Sequence, residues 1–189
     1  MVSAEKERAT YADLEQVPEN KVGEIINGEL FVSPRPAFKH ADAAGRIFLK
    51  LGTAFDDPEG SEPTWIILFE PELHLDGDAF IPDLAGWRRD RMPELPDVVA
   101  SDVVPNWVCE VLSPSTLRHD RMLKLPRYAQ LGVDHAWLVH PRDRTIEVYL
   151  RKGSTWEPVG VWGENHPNAS DARIPPFDSV PFDTNRWWR

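Results

Sequence analysis

The chain is poor in several things. It has one cysteine, Cys109, so it can build neither an internal disulfide nor a thiolate zinc cluster. No apolar run approaches the ~20 residues of a membrane-spanning helix. The first ten residues, MVSAEKERAT, are charged and lack an apolar core, so no secretory signal is expected and a cytoplasmic setting is. Positive charge is scarce. Twenty-one Lys and Arg stand against 31 Asp and Glu, and the net charge of −10 argues against broad, non-specific adhesion to nucleic acid. There is no internal repeat and no low-complexity tract. What is present is a hydrophobic content of 41% with eight Trp, enough for a packed core. A length of 189 residues suits one domain over 1–189, with 1–10 flexible and 165–189 an extended tail.

Charge is unevenly spread. Ala54–Asp78 carries eight acids and no Lys or Arg, whereas Val111–Lys152 carries eight Lys or Arg against four acids. Any basic patch should lie in the second stretch. Tyr11–Glu19 reads as a short helical turn. Glu24–Val32 reads as a hairpin about Asn27-Gly28, since both turn residues tolerate positive φ. Ala37–Phe55 is a helix with Ala44, Ile47, Phe48 and Leu51 on one face. Trp65–Leu75 and Phe80–Trp87 are strands about the Asp76-Gly77-Asp78 turn, and Arg88–Pro105 is a long charged loop. Trp107–Leu112 is the central strand. Leu117–Leu131 is a helix bent near Pro126 and ended at Gly132. His135–Val139, Thr145–Leu150 and Thr155–Trp162 complete the order: hairpin, helix, three strands, helix, strand, hairpin. The fold class is α/β (α+β), a mixed central sheet with helices packed on it.

The chemistry concentrates in Asn106–Leu125. Alternation turns Val108, Glu110 and Leu112 to one face of the strand and Trp107, Cys109 and Val111 to the other. A carboxylate in so apolar a run loses hydration, so Glu110 needs a cation, a metal or donated hydrogen bonds, unless an edge strand lets it reach water. In the helix, Leu117, Arg121, Lys124, Tyr128 and Leu131 recur on one stripe, placing two cations beside apolar residues. Asp83 after Pro82, Glu110 on a buried strand and a lysine nearby form the layout of a metal-dependent phosphodiesterase site. Hard carboxylate oxygens hold Mg²⁺, which keeps waters and binds a phosphate oxygen. A lysine can orient water and offset charge without ligating the ion.

Seven segments carry a family resemblance: EIINGEL (Glu24–Leu30), SPRP (Ser33–Pro36), His40, IPDLAGW (Ile81–Trp87), EVLSPST (Glu110–Thr116), DRMLKLPRYAQLGV (Asp120–Val133) and WLVHP (Trp137–Pro141). Together they resemble the Uma-two family of restriction-endonuclease-like proteins, within the PD-(D/E)XK superfamily, over about Tyr11 to Phe182. The resemblance implies a restriction-endonuclease-like core and a Mg²⁺- or Mn²⁺-dependent DNA endonuclease. It also implies Asp83, Glu110 and the Val111 carbonyl as metal ligands. The superfamily's lysine usually stands two residues after the acid, where this chain has Leu112. The resemblance moves that role to Lys124, with Arg121 as the fallback and Glu24 and His40 near the site. His140 departs from the family, which commonly has Asp there. DNA is the implied substrate, no membrane is implied, and a homodimer is an assembly to test for. A competing reading is a catalytically silent scaffold in which Asp83 and Glu110 form a structural ion pair with Arg121 or Lys124. A Cys109 hydrolase is disfavoured because Cys109 points away from Glu110 and no histidine is placed to activate it. A retaining glycosidase lacks open sugar-binding aromatics. His74, His119, His135, His140 and His166 show no ligand spacing and read as solvated.

Overall fold

The structure is a computed structural model describing residues 8–188. The N-terminal stretch expected to be flexible therefore falls mostly outside the described residues. Eleven strands form two sheets among those residues. The smaller has β1 (Lys21–Ile26), β2 (Glu29–Pro34), β4 (Glu72–Leu75), β5 (Asp78–Phe80) and β7 (Ala100–Ser101), in the order β2-β1-β5-β4-β7. The larger has β3 (Trp65–Phe69), β6 (Leu84–Arg88), β8 (Trp107–Val111), β9 (His135–His140), β10 (Thr145–Lys152) and β11 (Thr155–Gly163), in the order β11-β10-β9-β8-β6-β3. The helices are α1 (Tyr11–Leu14), α2 (Phe38–Leu51), α3 (Leu117–His119) and α4 (Leu125–Leu131), with a π-helical turn, Asp120–Lys124, joining the last two. Among the described residues no helix is long and apolar enough to cross a membrane.

The mixed central sheet expected from the sequence is the larger of the two; two of the expected strands divide between it and the smaller sheet, and the reason lies in two prolines. Trp65–Leu75 and Phe80–Trp87 each break in the middle. Pro71 and Pro82 have no N–H to give a ladder, and Glu70 takes a positive φ of 46°. The outer halves, β3 and β6, pair in the large sheet, while β4 and β5 pair in the small one. Glu70 N–H donates to the Asp83 carbonyl at 3.0 Å, tying the two breaks together. Asp83 therefore sits where the chain crosses between sheets.

Strand β8 is interior and wholly buried, antiparallel to β6 and parallel to β9. Its two faces go to different cores. Trp107, Cys109 and Val111 pack with Ala44, Ile47 and Leu51 of α2 and with Phe177 and Trp187 of the C-terminal segment. Val108 and Leu112 pack with Phe80, Leu125 and Tyr128. Between parallel β8 and β9 a crossover is obligatory, and residues 117–131 provide it. That helix does not break at Pro126. It widens into the π turn just before the proline, where Leu125 N–H donates to the Asp120 carbonyl. Gly132, at φ 95°, closes it in the left-handed conformation that glycine adopts without strain.

Candidate active site

Five elements deliver six groups to a common point. Strand β1 brings Glu24, the first turn of α2 brings His40, and the crossing between sheets brings Asp83. Strand β8 brings Glu110, and the helix beyond brings Asp120 and Lys124. These six line a cavity of about 220 Å³ roofed by Ser33–Ala37 and Ser113–Thr116.

Lys124 is 2% exposed, and its Nζ lies 2.8 Å from Glu110 Oε1 and 2.9 Å from Glu24 Oε1. It also donates to the Ile81 carbonyl at 3.3 Å. A flexible stem crossing apolar surface to deliver an ammonium is what the shared stripe with Tyr128 suggests. Tyr128, fully buried against Phe80, donates its hydroxyl to Glu110 Oε1 at 2.7 Å. Asp83 Oδ2 accepts from the Val111 amide at 2.7 Å and lies 3.1 Å from His40 Nε2. Glu24 Oε1 further accepts from Ile81 N–H at 2.9 Å. In both Asp83 and Glu110 one oxygen is tied down. Among the described residues nothing donates to Asp83 Oδ1 or Glu110 Oε2.

Glu24, Glu110 and Asp120 share one lysine, while Asp83 lies against His40. Burial pushes the Glu110 carboxyl well above its usual range, and the charges of Asp120, Asp83 and Glu24 add to this while Lys124 opposes it. Burial likewise raises Asp120 to about 6. Glu24 goes the other way: burial disfavours its charge, but Lys124, His119 and the Ile81 amide bring it to about 2. A single ammonium is thus shared between Glu110, at 2.8 Å, and Glu24, at 2.9 Å. His40 is raised, because Asp83 outweighs the desolvation that would lower it, and its Nδ1 is buried without a partner.

This donor set suits a hard divalent cation. Among the described residues no three His, Cys, Asp or Glu side chains form a ready-made metal cage. Mg²⁺ does not need one, because it is typically held by one or two carboxylates, with waters and substrate phosphate completing its shell.

One expected residue lands elsewhere. Arg121 turns away from the site: its Nη2 lies 2.6 Å from Glu147 Oε1 and 3.2 Å from His140 Nε2. The π turn changes the angular spacing between positions 121 and 124, so the expected common stripe splits. Val111, by contrast, stays at the site, where its amide donates to Asp83. The expected basic patch is mostly neutralised, since Arg121, Lys124, Arg127, Arg144, Arg151 and Lys152 all form salt bridges. His40 and His119, a pair ordinarily solvated at such positions, lie against Asp83 and, at 3.4 Å, Glu24. Asp120 and Tyr128 were missed by sequence reasoning. Tyr128 stands four residues after Lys124 on the stripe already drawn, which was the available signal.

A family model described as a putative restriction endonuclease, Uma2, matches residues 8–180. Among solved structures, a putative nuclease belonging to DUF820 from Anabaena variabilis matches with a TM-score of 0.72 and 20% identity. The match covers 95% of this chain and 98% of that one, and at this identity it shows a shared fold. No curated protein matches the chain.

Proposed function

The chain belongs to the Uma2 family of putative restriction endonucleases, and from that premise we propose that it is a Mg²⁺- or Mn²⁺-dependent DNA endonuclease. The observation that carries the reading is the half-satisfied pair, Asp83 and Glu110. Each has one oxygen fixed by protein donors and one left without a donor, with the Lys124 ammonium 2.8 Å from Glu110 in the same cavity. Asp83, Glu110 and the Val111 carbonyl are the proposed ligands. When bound, the ion supplies positive charge where negative charge develops on the phosphate. His40 and the Val111 amide hold Asp83 in place, and Tyr128 holds Glu110. Glu24 keeps Lys124 charged and aimed into the cavity, where it orients the attacking water and offsets phosphate charge. DNA as substrate and a cytoplasmic setting belong to the same proposal.

The test is calorimetric titration with Mn²⁺, paired with a plasmid cleavage assay. Wild type should bind and cut, and Asp83→Asn and Glu110→Gln should do neither. Equal Mn²⁺ binding by the variants would sink the site assignment. One observation favours a second reading, the silent scaffold: Lys124 already pairs with Glu110 and Glu24. In that case wild type binds no Mn²⁺, and Glu110→Gln lowers the melting temperature in metal-free buffer.

A further inference from the structure

Phe38 stands out by its exposure. It is 96% exposed, more than any other large hydrophobic side chain among the described residues. A phenyl ring so placed contributes nothing to the core and leaves apolar surface in water. Its position is specific. It opens α2, and the turn it begins is a partition between two clefts. Ala37 and His40 face the acidic cavity with Asp83 and Glu110. Phe38, Lys39 and Ala43 face a neighbouring cleft of about 430 Å³ whose far wall is Pro141, Trp187 and Trp188. The two clefts are lined by neighbouring residues of one turn, Ala37 and His40 on one side and Phe38 and Lys39 on the other, so a strand held in one can reach the other. Asp42 on the same wall is engaged by Arg46 at 3.0 Å, whereas Lys39 makes no salt bridge among the described residues.

We propose that Phe38 and this cleft form a stacking subsite for an unpaired nucleobase beside the scissile phosphate, so that the substrate is single-stranded or frayed DNA and not an intact duplex. The inference rests on the nuclease reading of the acidic cavity and adds to it. Two further observations support it. Binding duplex through its backbone needs rows of free cations that release counterions, yet the chain carries −10 and most cations of its basic stretch are paired with acids. A single strand releases fewer counterions per contact and adds stacking energy that every base's π face can supply, so it depends less on such rows. The acidic cavity is also small and roofed by Ser33–Ala37 and Ser113–Thr116, which admits one strand far more readily than two.

The experiment compares wild type, Phe38→Ala and Phe38→Trp. The probe is a single-stranded oligodeoxynucleotide of about a dozen nucleotides carrying 2-aminopurine, alone and annealed to its complement, in Ca²⁺ buffer. Wild type should bind the single strand more tightly than the duplex and quench the 2-aminopurine. Phe38→Ala should weaken single-strand binding by about ten- to a hundredfold and abolish the quench, whereas Phe38→Trp should preserve both. Melting temperatures should not change, since the ring supports no packing. With Mn²⁺, Phe38→Ala should raise KM for single-stranded substrate and leave kcat near wild type. Tighter duplex binding, or unchanged affinity in Phe38→Ala, overturns the stacking subsite even where Mn²⁺-dependent cleavage holds. A Phe38→Ala change in oligomeric state by sedimentation overturns it in favour of a second copy of the chain as occupant. If wild type neither binds nor cuts either form, the nuclease reading falls as well, which the Mn²⁺ titration of Asp83→Asn and Glu110→Gln distinguishes.

Discussion

Two clusters of charge hold this molecule's loops to its sheets, and they are built on opposite plans. At Asp134, one carboxylate meets three donors. Oδ2 accepts from Arg91 and Asn106, both at 2.9 Å, and Oδ1 accepts from Arg151 at 2.8 Å. Partial burial alone would raise this carboxyl, but the hydrogen bonds from Arg151 and Asn106 and the Arg91 charge hold it below the usual range. Both oxygens are spoken for, and the cluster ties the long loop, the lead into β8 and the end of β10 to one point. In the cavity, Glu24, Glu110 and Asp120 share one lysine, and Glu110 and Asp120 are raised. A carboxylate whose oxygens are all capped favours the fold. One left short of donors at full burial costs stability, and such sites persist where the unmet charge serves chemistry.

The comparison breaks most directly at Glu110 and Asp83. Glu110→Gln or Asp83→Asn should abolish Mn²⁺ binding and cleavage, while the melting temperature in metal-free buffer stays level or rises, because a repelling charge is gone. A clear drop in that temperature would make the cavity a second Asp134. Next in size, Lys124→Met should retain Mn²⁺ binding while cleavage falls by about two to three decades, the scale of one preorganised electrostatic contact. Unchanged cleavage would remove Lys124 from the mechanism. Tyr128→Phe keeps the ring on Phe80 and removes one donor to Glu110. It should reduce cleavage by about tenfold and stability by about 1 kcal/mol, read by denaturant melts alongside turnover.

The smallest effect is expected at the structural cluster. Asp134→Asn should lower stability by about 1 kcal/mol, a figure already reduced for solvent screening, and leave cleavage per folded molecule unchanged. Its pH dependence has a definite sign. The folded carboxyl titrates below its unfolded value of about 3.9, so the folded state binds fewer protons in that interval and the stabilisation is present above it. The difference between wild type and Asp134→Asn should be flat from pH 7 to about 5 and shrink as acid protonates the folded group. A difference that grew on acidification would contradict the assignment.

Much of the framework was legible because it depends on short-range pattern. Alternation through Trp107–Leu112 predicted which residues face which core, and the two cores divide along that line. Asn27-Gly28 marked a turn whose φ values are 55° and 77°, and Gly132 marked the end of the crossover helix. The inward course of Lys124 to Glu110 was legible because a stripe of apolar neighbours must face the sheet and carry it inward. The split of two long strands between two sheets was less legible. Pro71 and Pro82 were visible, but a proline shows only where a ladder must lapse, and where the chain goes next depends on which partner strand is free. Arg121 was lost to the π turn, since a pattern counted at regular helical spacing cannot register one wider turn.

The sequence alone therefore determined the order of elements, the central strand and its faces, and the residue types able to serve a phosphodiester site, because each follows from local stereochemistry and the periodicity of burial. Only the tertiary structure decided that Glu24 and Glu110 share one lysine, that Tyr128 and His40 hold the two acids, and that the basic stretch is largely spent in ion pairs. Those outcomes turn on distances between residues far apart in the chain. Coulomb energy in a buried cavity depends on ångströms and on what water is excluded, and neither is written in spacing along the backbone.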